Sequence, residues 1–177
     1  MTYIKEQISA IANRFARSEP QTSKRFLEKL QEDSITRDEG NMSHFCAYFL
    51  PFNPKLNQVF IVHHKKSSLW LAPGGHMDKG ELLLETLNRE IKEELGIVNF
   101  FATLPEPFFI SITPINNPVQ PCTEHLDIWF LLNTDGSNFN VDQQEFHATK
   151  WMNLDSAKEI VTDPANLKAL ARLTANK

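Results

Sequence analysis

Apolar residues recur along the chain at two different spacings, and each spacing predicts its own kind of secondary structure. Near the start the spacing is three to four residues, which predicts an amphipathic helix over about residues 3–17. Pro20 interrupts this pattern, and a second helix is expected to end near Glu32. The buried face of the first helix is predicted to contain Ile4, Ile8, Ile11 and Phe15. We therefore expect residues 1–42 to form a helical extension and residues 43–177 to form the main domain.

From Phe45 onward, short apolar runs alternate with turn-forming residues, a pattern typical of β-strands. The segment from about Leu82 to Leu95 has apolar residues at helical spacing instead, and Gly96 follows it where a left-handed cap is expected. Asp155 and Asp163-Pro164 offer starts for two further helices. The buried stripe of the central helix is predicted to contain Leu84, Leu87, Ile91 and Leu95. The predicted strands are residues 45–50, 59–63, 69–72, 108–113, 126–132 and 149–152. This order predicts an α/β fold with a mixed sheet flanked by helices.

Three glutamates lie close together on the predicted central helix. At about 100° per residue, Glu90, Glu93 and Glu94 fall within an arc of about 100°. Carboxylates at this spacing repel one another, so they form either a solvated acidic face or a site for something positive. Hard carboxylate oxygens suit Mg²⁺ or Mn²⁺, ions that take one or two protein carboxylates and then bridge substrate phosphates. The three glutamates alone leave both interpretations open.

Composition and charge restrict the classes of protein that fit the chain. With 177 residues, 41% of them hydrophobic, the chain can bury one sizeable core. A formal net charge of −4 argues against general binding of nucleic acid or of a membrane surface. Within residues 1–42, seven acidic side chains balance seven basic ones. We therefore expect this extension to pack on the main domain or on a partner in a homodimer, and not to bind DNA.

Cellular location is also indicated by what the sequence contains. No apolar run approaches the length of a membrane span, and the N-terminus lacks the pattern of a signal peptide. Cys46 and Cys122 are the two cysteines, and they show no metal-binding spacing with each other or with histidines. Two reduced thiols in a cytoplasmic protein are the expected state.

The three glutamates belong to a longer motif, the segment GHMDKGELLLETLNREIKEELGI at residues 75–97. Its fixed positions are Gly75, Glu81, Arg89-Glu90, Glu93-Glu94 and Gly96, with hydrophobic residues at 91 and 97. At every one of these positions the segment resembles the Nudix box, the signature of the Nudix hydrolase family. The resemblance implies an α/β/α sandwich that hydrolyses nucleoside diphosphates linked to another group, with Mg²⁺ or Mn²⁺ held by the box glutamates. A looser resemblance in strand order extends over residues 43–155.

The same resemblance implies roles for individual residues. Glu90, Glu93 and Glu94 correspond to the metal ligands, and the Gly74 carbonyl to an additional ligand. By its position in the box, Arg89 corresponds to the residue that orients the carboxylates. Glu81 corresponds in the same way to a structural partner near the helix start. Catalysis is therefore expected to depend on Glu93, Glu94 and Arg89.

Polar residues outside the glutamate cluster are weaker candidates. Hydrolysis requires a group that activates water, and some Nudix enzymes use a glutamate outside the box for this purpose. Glu145, in the loop at residues 141–146, is our candidate, with a solvated loop charge as the alternative. His76 is expected to face either phosphate or solvent. His125 and Asp127 are expected to be structural or to orient the substrate, with a catalytic role as the alternative. The remaining histidines show no ligand spacing and receive no role: His44, His63, His64 and His147.

Two other functions stay open beside a hydrolase acting on a small-molecule diphosphate. An enzyme similar to isopentenyl-diphosphate isomerase would share the fold but use a catalytic cysteine, and the sequence HFCAYFL around Cys46 does not match that motif. A ligand-sensing module without turnover would usually have a decayed box, whereas this box is intact. The proline-rich segment Thr113–Cys122 is expected to form a binding loop beside the metal site. The absence of tyrosine after the box disfavours diadenosine polyphosphates and leaves ADP-ribose-like substrates undecided.

Overall fold

A seven-stranded mixed sheet lies at the centre of the computed structural model, which describes residues 2–40, 42–116 and 122–175. Five strands are ordered β3-β2-β1-β6-β5, while β4 pairs with β1 and β7 pairs with β2. Strands β1 and β6 run parallel, and the other described pairs are antiparallel. The strands are β1 (Ser43–Asn53), β2 (Gln58–His64), β3 (Trp70–Leu71), β4 (Gly74–His76), β5 (Phe109–Pro114), β6 (Glu124–Asn133) and β7 (Phe146–Asn153).

Helices cover both faces of this sheet, so the chain forms the expected α/β/α sandwich. The first helical layer contains α1 (Thr2–Phe15), α2 (Pro20–Lys29) and α3 (Leu83–Leu95). The second contains α4 (Leu154–Ile160) and α5 (Pro164–Ala175). Because side chains alternate along a strand, Phe45, Ala47 and Phe49 of β1 pack with the first layer, and Tyr48 and Leu50 pack with the second.

The two N-terminal helices share the hydrophobic core of the sheet. Ile8 and Phe26 are fully buried, and the Phe26 ring meets the Phe45 ring edge-on with centroids 5.2 Å apart. Arg25 forms an ion pair with Glu124 at 2.5 Å, which ties α2 to β6. Within the part of the chain that the structure describes, no helix is long and apolar enough to cross a membrane. A domain boundary between residues 42 and 43 stays a prediction.

The predicted elements all occur, and two details differ from the sequence analysis. The short strand β4 was not predicted, because paired glycines are typical of a turn, yet it pairs with residues 46–48 of β1. On α3, Leu83 is fully buried and Leu84 is only partly buried, so the predicted stripe was wrong at this position. The reason is that the buried arc of the helix also includes Glu90 and Glu94, which places Leu84 at its edge.

Candidate metal centre

Helix α3 presents two glutamates toward the protein and one toward solvent. It begins where the Leu82 backbone N–H donates to Glu85 Oε2 at 2.7 Å, and it ends at Gly96 in the left-handed conformation. Glu90 and Glu94 are 7% and 4% exposed. Glu93, one residue earlier than Glu94, has a side chain that is 56% exposed. The three box glutamates are therefore neighbours on the helix surface, with Glu90 and Glu94 buried and Glu93 exposed to solvent.

Strand β4 lies directly against these carboxylates, with no side chain between. A Cβ atom on Gly75 would lie 2.5 Å from Glu90 Oε1, so this close approach requires glycine. The Gly74 N–H donates to Glu94 Oε2 at 2.6 Å. The backbone of Gly74 is thus beside Glu94, although the contact that the structure shows is made by its N–H and not by the carbonyl that the resemblance implied.

Arg89 holds the carboxylates in place by hydrogen bonds in several directions. Its Nε and Nη2 donate to the two Glu81 oxygens at 2.7 and 3.0 Å, and its Nη1 donates to Glu90 at 2.7 Å and Glu93 at 3.2 Å. Nη2 also donates to the His76 carbonyl at 2.7 Å, which connects α3 to β4. Arg89 thus contacts three glutamates and the backbone of β4, and the orienting role of Arg89 and the supporting role of Glu81 stay predictions.

Burial makes the two inward carboxylates hard to ionise. Desolvation raises the pKa of Glu90 to about 7, although the Arg89 guanidinium opposes this shift. Desolvation, together with the charge of Glu90, raises the pKa of Glu94 well above its ordinary value. Glu81 behaves differently, since hydrogen bonds from Arg89 and Thr86 outweigh its burial and lower its pKa. The donor set of hard oxygens with two poorly compensated buried carboxylates fits a divalent cation such as Mg²⁺ or Mn²⁺.

The loop before β7 brings Glu145 to this centre. Asn140 and Asp142 donate backbone hydrogen bonds to the carbonyls of Leu95 and Glu94 at 2.8 and 3.1 Å, which holds the loop at the end of α3. Side-chain ligand atoms of Glu94, Glu145 and His64 all lie within 4.8 Å of one another. No role was expected for His64, because its proximity to these glutamates depends on the β2–β7 pairing, which sequence spacing does not reveal.

A second group of ligand-type side chains lies on the other face of β4. Ligand atoms of His44, Cys46, His76 and His125 all lie within 4.8 Å of one another. The Nε2 atoms of His76 and His125 are 3.1 Å apart. Burial, followed by the charges of neighbouring groups, lowers the pKa of His76 to about 2 and of His125 to about 4. Of these residues, His44 had been assigned no role, although its i, i+2 spacing with Cys46 places both on one face of a strand.

Asp127 is fully buried beside this second group. Its Oδ2 accepts hydrogen bonds from Ser111 Oγ at 2.9 Å and Thr113 Oγ1 at 2.5 Å. Burial raises the pKa of Asp127 to about 7, against the effect of these hydrogen bonds. Thr113 also starts the proline-rich segment that was expected to bind substrate; residues 117–121 of that segment lie outside the described residues.

Comparison with known proteins agrees with this architecture. The family model of the NUDIX domain matches residues 42–173. Nudix hydrolase 6 of Arabidopsis thaliana is 31% identical over 133 residues, which are 70% of this chain and 43% of that protein. The asymmetrical bis(5'-nucleosyl)-tetraphosphatase of Mus musculus is 32% identical over 102 residues, 56% of this chain and 62% of that protein. The chain therefore spans less than two thirds of the length of these relatives.

Solved structures of low sequence identity share the fold. The C. elegans Ap4A hydrolase in its binary complex is 19% identical, with a TM-score of 0.58 over 74% of this chain and 95% of that one. The E. coli ORF135 protein is 18% identical, with a TM-score of 0.60 over 77% of this chain and 92% of that one. With the family match, the sandwich fold and the complete motif over β4, the following loop and α3, the chain belongs to the Nudix hydrolase family.

Proposed function

We propose that the chain is a hydrolase that requires a divalent cation and cleaves the diphosphate linkage of a nucleoside diphosphate joined to another group. The observation that carries this proposal is the convergence of Glu90, Glu94 and Glu145 beside the glycine backbone of β4. When bound there, Mg²⁺ or Mn²⁺ neutralises charge on phosphate oxygens and lowers the pKa of a coordinated water. Glycine at 74 and 75 lets the backbone of β4 pack directly against β1 and the Glu90 carboxylate.

The box residues then divide into ligands and one positioning residue. Glu90 and Glu94 supply inward carboxylates, and Glu93 supplies an outward one that solvent and substrate can reach. Arg89 is committed to Glu81, Glu90, Glu93 and the His76 carbonyl, so its role is to orient the carboxylates and not to contact the substrate. Gly74 supplies backbone beside Glu94 and is proposed as the additional ligand through its carbonyl.

Glu145 is the proposed acceptor of the proton from the attacking water. Its side chain is 34% exposed and lies next to Glu94, so one side faces the cluster and the other faces solvent. His64 and Lys66 contact its Oε2 at 3.6 and 3.7 Å and fix its direction. Glu93 is the alternative acceptor, since it is also exposed and belongs to the box. Glu93 is also a proposed ligand, so Glu145→Gln is the deciding variant: a lower kcat with unchanged Mg²⁺ dependence supports Glu145 as the acceptor, and an unchanged kcat favours Glu93.

A covalent mechanism receives no support from the described residues around the site. Cys46 is fully buried, and this burial raises the pKa of its thiol well above the ordinary value. A thiol in this state is a poor nucleophile. Direct attack by water is therefore favoured over chemistry of the isopentenyl-diphosphate-isomerase type.

The names of the relatives support the class of substrate. They include a bis(5'-nucleosyl)-tetraphosphatase, an RNA pyrophosphohydrolase from Ruthia magnifica and an m7GpppN-mRNA hydrolase from Xenopus laevis. These names refer to a bis-nucleosyl tetraphosphate, to the pyrophosphate of RNA and to the m7GpppN group of mRNA, so each includes linked phosphates. We therefore place the substrate of this chain among nucleotides with a diphosphate linkage, with cytoplasmic small molecules as the first candidates.

The test is a panel of such nucleotides assayed with Mg²⁺ or Mn²⁺, followed by turnover of the best substrate in ¹⁸O-labelled water. We expect the label in a phosphate product and no phosphoenzyme after quenching, because water attacks phosphorus directly. Glu145→Gln and Glu93→Gln are compared with Asp142→Asn, a change of the same kind in the same loop that should leave the rate unchanged. Label in an alcohol product, or faster turnover of simple phosphomonoesters, would contradict the proposed reaction.

A further inference from the structure

The sheet assembles four nitrogen and sulfur donors from three strands. Cys46 pairs with His76 of β4, and His44 pairs with His125 of β6. Since paired residues, and residues two apart on one strand, point to the same face, all four side chains lie together. Their ligand atoms lie within 4.8 Å of one another. Secondary structure, and not chance contact of loops, therefore fixes the relative positions of three imidazoles and a thiol.

This group is separate from the box glutamates because β4 lies between them. The Cβ position of Gly75 points toward Glu90. Alternation along the strand places the side chain of the next residue, His76, on the opposite face. The two groups thus share a backbone strand but offer donors to different volumes.

The donors differ in kind from those of the glutamate cluster. Imidazole and thiolate ligands select Zn²⁺ and similar transition-metal ions, whereas carboxylates select Mg²⁺, Ca²⁺ or Mn²⁺. Zn–N bonds of about 2.0–2.1 Å in a tetrahedron separate two nitrogens by about 3.3 Å. The His76 and His125 Nε2 atoms, 3.1 Å apart, already have nearly this separation. The other ligand atoms, which now lie up to 4.8 Å apart, must move closer together when a cation binds.

Burial and charge also suit a cation with a thiolate ligand. His44 and Cys46 are fully buried and His125 is 7% exposed. The Nε2 atom of His125 is within hydrogen-bonding distance of His76 Nε2, whereas its Nδ1 atom is buried and has no hydrogen-bond partner among the described residues. Asp127 pairs with Cys46 across the sheet and adds a carboxylate next to the thiol. Because a thiol binds a metal ion as the thiolate, a divalent cation at this position would displace the proton of Cys46.

The positive charge of Arg37 opposes the binding of a cation by the four side chains. Its Nη1 lies 3.3 Å from His76 Nδ1, at the side where the group approaches the surface. Arg37 is exposed, so it can withdraw into solvent when His76 binds a cation through Nε2. Arg37 therefore lowers the affinity of the four side chains for a cation but does not block access to them.

We propose that His44, Cys46, His76 and His125 form a second cation site, for Zn²⁺ or an ion of similar ligand preference, on the face of β4 opposite the glutamate cluster. A cation at this site connects β1, β4 and β6 at the end of the sheet where Gly74 and Gly75 meet the box helix. The site and its occupation are independent of which substrate the chain hydrolyses.

Co²⁺ is the probe for this site, because it replaces Zn²⁺ and its thiolate complexes absorb by ligand-to-metal charge transfer. The full-length protein, freed of metal with a chelator, is titrated with Co²⁺ in the presence of excess Mg²⁺. We expect a charge-transfer band that saturates at one equivalent and disappears when Zn²⁺ is added. Zn²⁺ should also raise the thermal unfolding temperature, since a ligand of the folded state stabilises it.

Variants separate this site from the glutamate cluster. Cys46→Ser should abolish the charge-transfer band, and His125→Gln should weaken Co²⁺ binding by roughly tenfold or more. Cys122→Ser, a change of the other cysteine, should keep the band, and so should Glu93→Gln. Far-ultraviolet circular dichroism confirms that each variant is folded. Absence of the band from the unmodified protein, or its survival in Cys46→Ser, would overturn the proposal. Loss of hydrolysis in Glu93→Gln with the band intact would support the proposed function and show that the two sites are separate.

Discussion

The two faces of β4 carry two groups of metal-ligand residues that are built in opposite ways. On one face, Glu90 and Glu94 come from a single helix and repel each other, and the Arg89 guanidinium lies among them. On the other face, three imidazoles and a thiol come from three strands, and burial lowers the pKa values of His76 and His125. The first group is held by charge and hydrogen bonds, and the second by the register of the sheet. The comparison shows that one short strand can separate a group of hard donors from a group of softer donors.

The largest expected effect is that of Glu94→Gln on hydrolysis. Loss of this carboxylate removes several kcal/mol of charge stabilisation, so kcat should fall by roughly 10²–10⁴-fold. The amide oxygen can still accept the Gly74 N–H, and a buried charge is removed, so the unfolding temperature should stay constant or rise. Steady-state kinetics and a thermal melt measure both quantities. Glu85→Gln, on the exposed side of the same helix, is the control, and an unchanged kcat in Glu94→Gln would contradict the assignment.

Gly75→Ala tests the close packing of β4, the strand between the two groups, against Glu90. The new methyl group would lie 2.5 Å from Glu90 Oε1, so the carboxylate must move. A displacement of about 1 Å in a catalytic group lowers the rate by about 10²-fold, and overpacking lowers the free energy of unfolding by about 1–3 kcal/mol. Calorimetry and kinetics should show both changes. In the double variant Gly75→Ala/Glu90→Ala the free energy of unfolding should recover, while activity should not. A loss of stability that persists would show that the new methyl group collides with a group other than the Glu90 carboxylate.

Arg89→Lys sharpens the idea that charge holds the glutamate face together. An ammonium group keeps the charge but cannot reproduce the hydrogen bonds to Glu81, Glu90 and the His76 carbonyl. We expect a loss of about 2 kcal/mol in stability, and about tenfold in kcat, because the carboxylates lose their orientation. Chemical denaturation and kinetics provide the measurements. Lys92→Arg, a reverse exchange on the same helix, should change neither, and a wild-type kcat in Arg89→Lys would mean that charge alone suffices.

The smallest expected effect is that of Arg37→Gln, which acts on the imidazole–thiol face. Removal of an exposed positive charge next to His76 is worth roughly 0.5–1 kcal/mol, so Co²⁺ should bind about two- to fivefold more tightly. The Co²⁺ titration described above measures the dissociation constant. Arg17→Gln, an exposed arginine after α1, removes the same charge at a different place. Equal changes in the two variants would show that net charge, and not the contact with His76, sets the affinity.

The glutamate face was largely predictable because its information is local. Glu90, Glu93 and Glu94 lie on one helix, where the 3.6-residue period determines which side chains are neighbours. Arg89 and Glu81 are within the same motif, and the structure places both in contact. Glu145 was a candidate from its position before a strand, and the structure brings it to Glu94, where its catalytic role remains a proposal.

The imidazole–thiol face was not predictable because it depends on pairing between distant strands. His44 and Cys46 are 32 and 30 residues from His76, and 81 and 79 residues from His125, so no short spacing connects them. Their meeting requires β4, which a Gly-Gly sequence does not suggest, and the parallel pairing of β1 with β6. The alternation of His44 and Cys46 on one strand was the one available signal.

Strand β4 consists of three residues and has a ligand-type group on each side, so it acts as a common wall. The thermodynamics of linked binding then imposes a symmetry on the protein. If a cation on the imidazole–thiol face changes the affinity of the glutamate face by some factor, a cation on the glutamate face must change the other affinity by the same factor. Any such coupling through the Gly74–His76 segment would therefore make the metal affinity of each face depend on the metal bound at the other face, by the same factor in both directions.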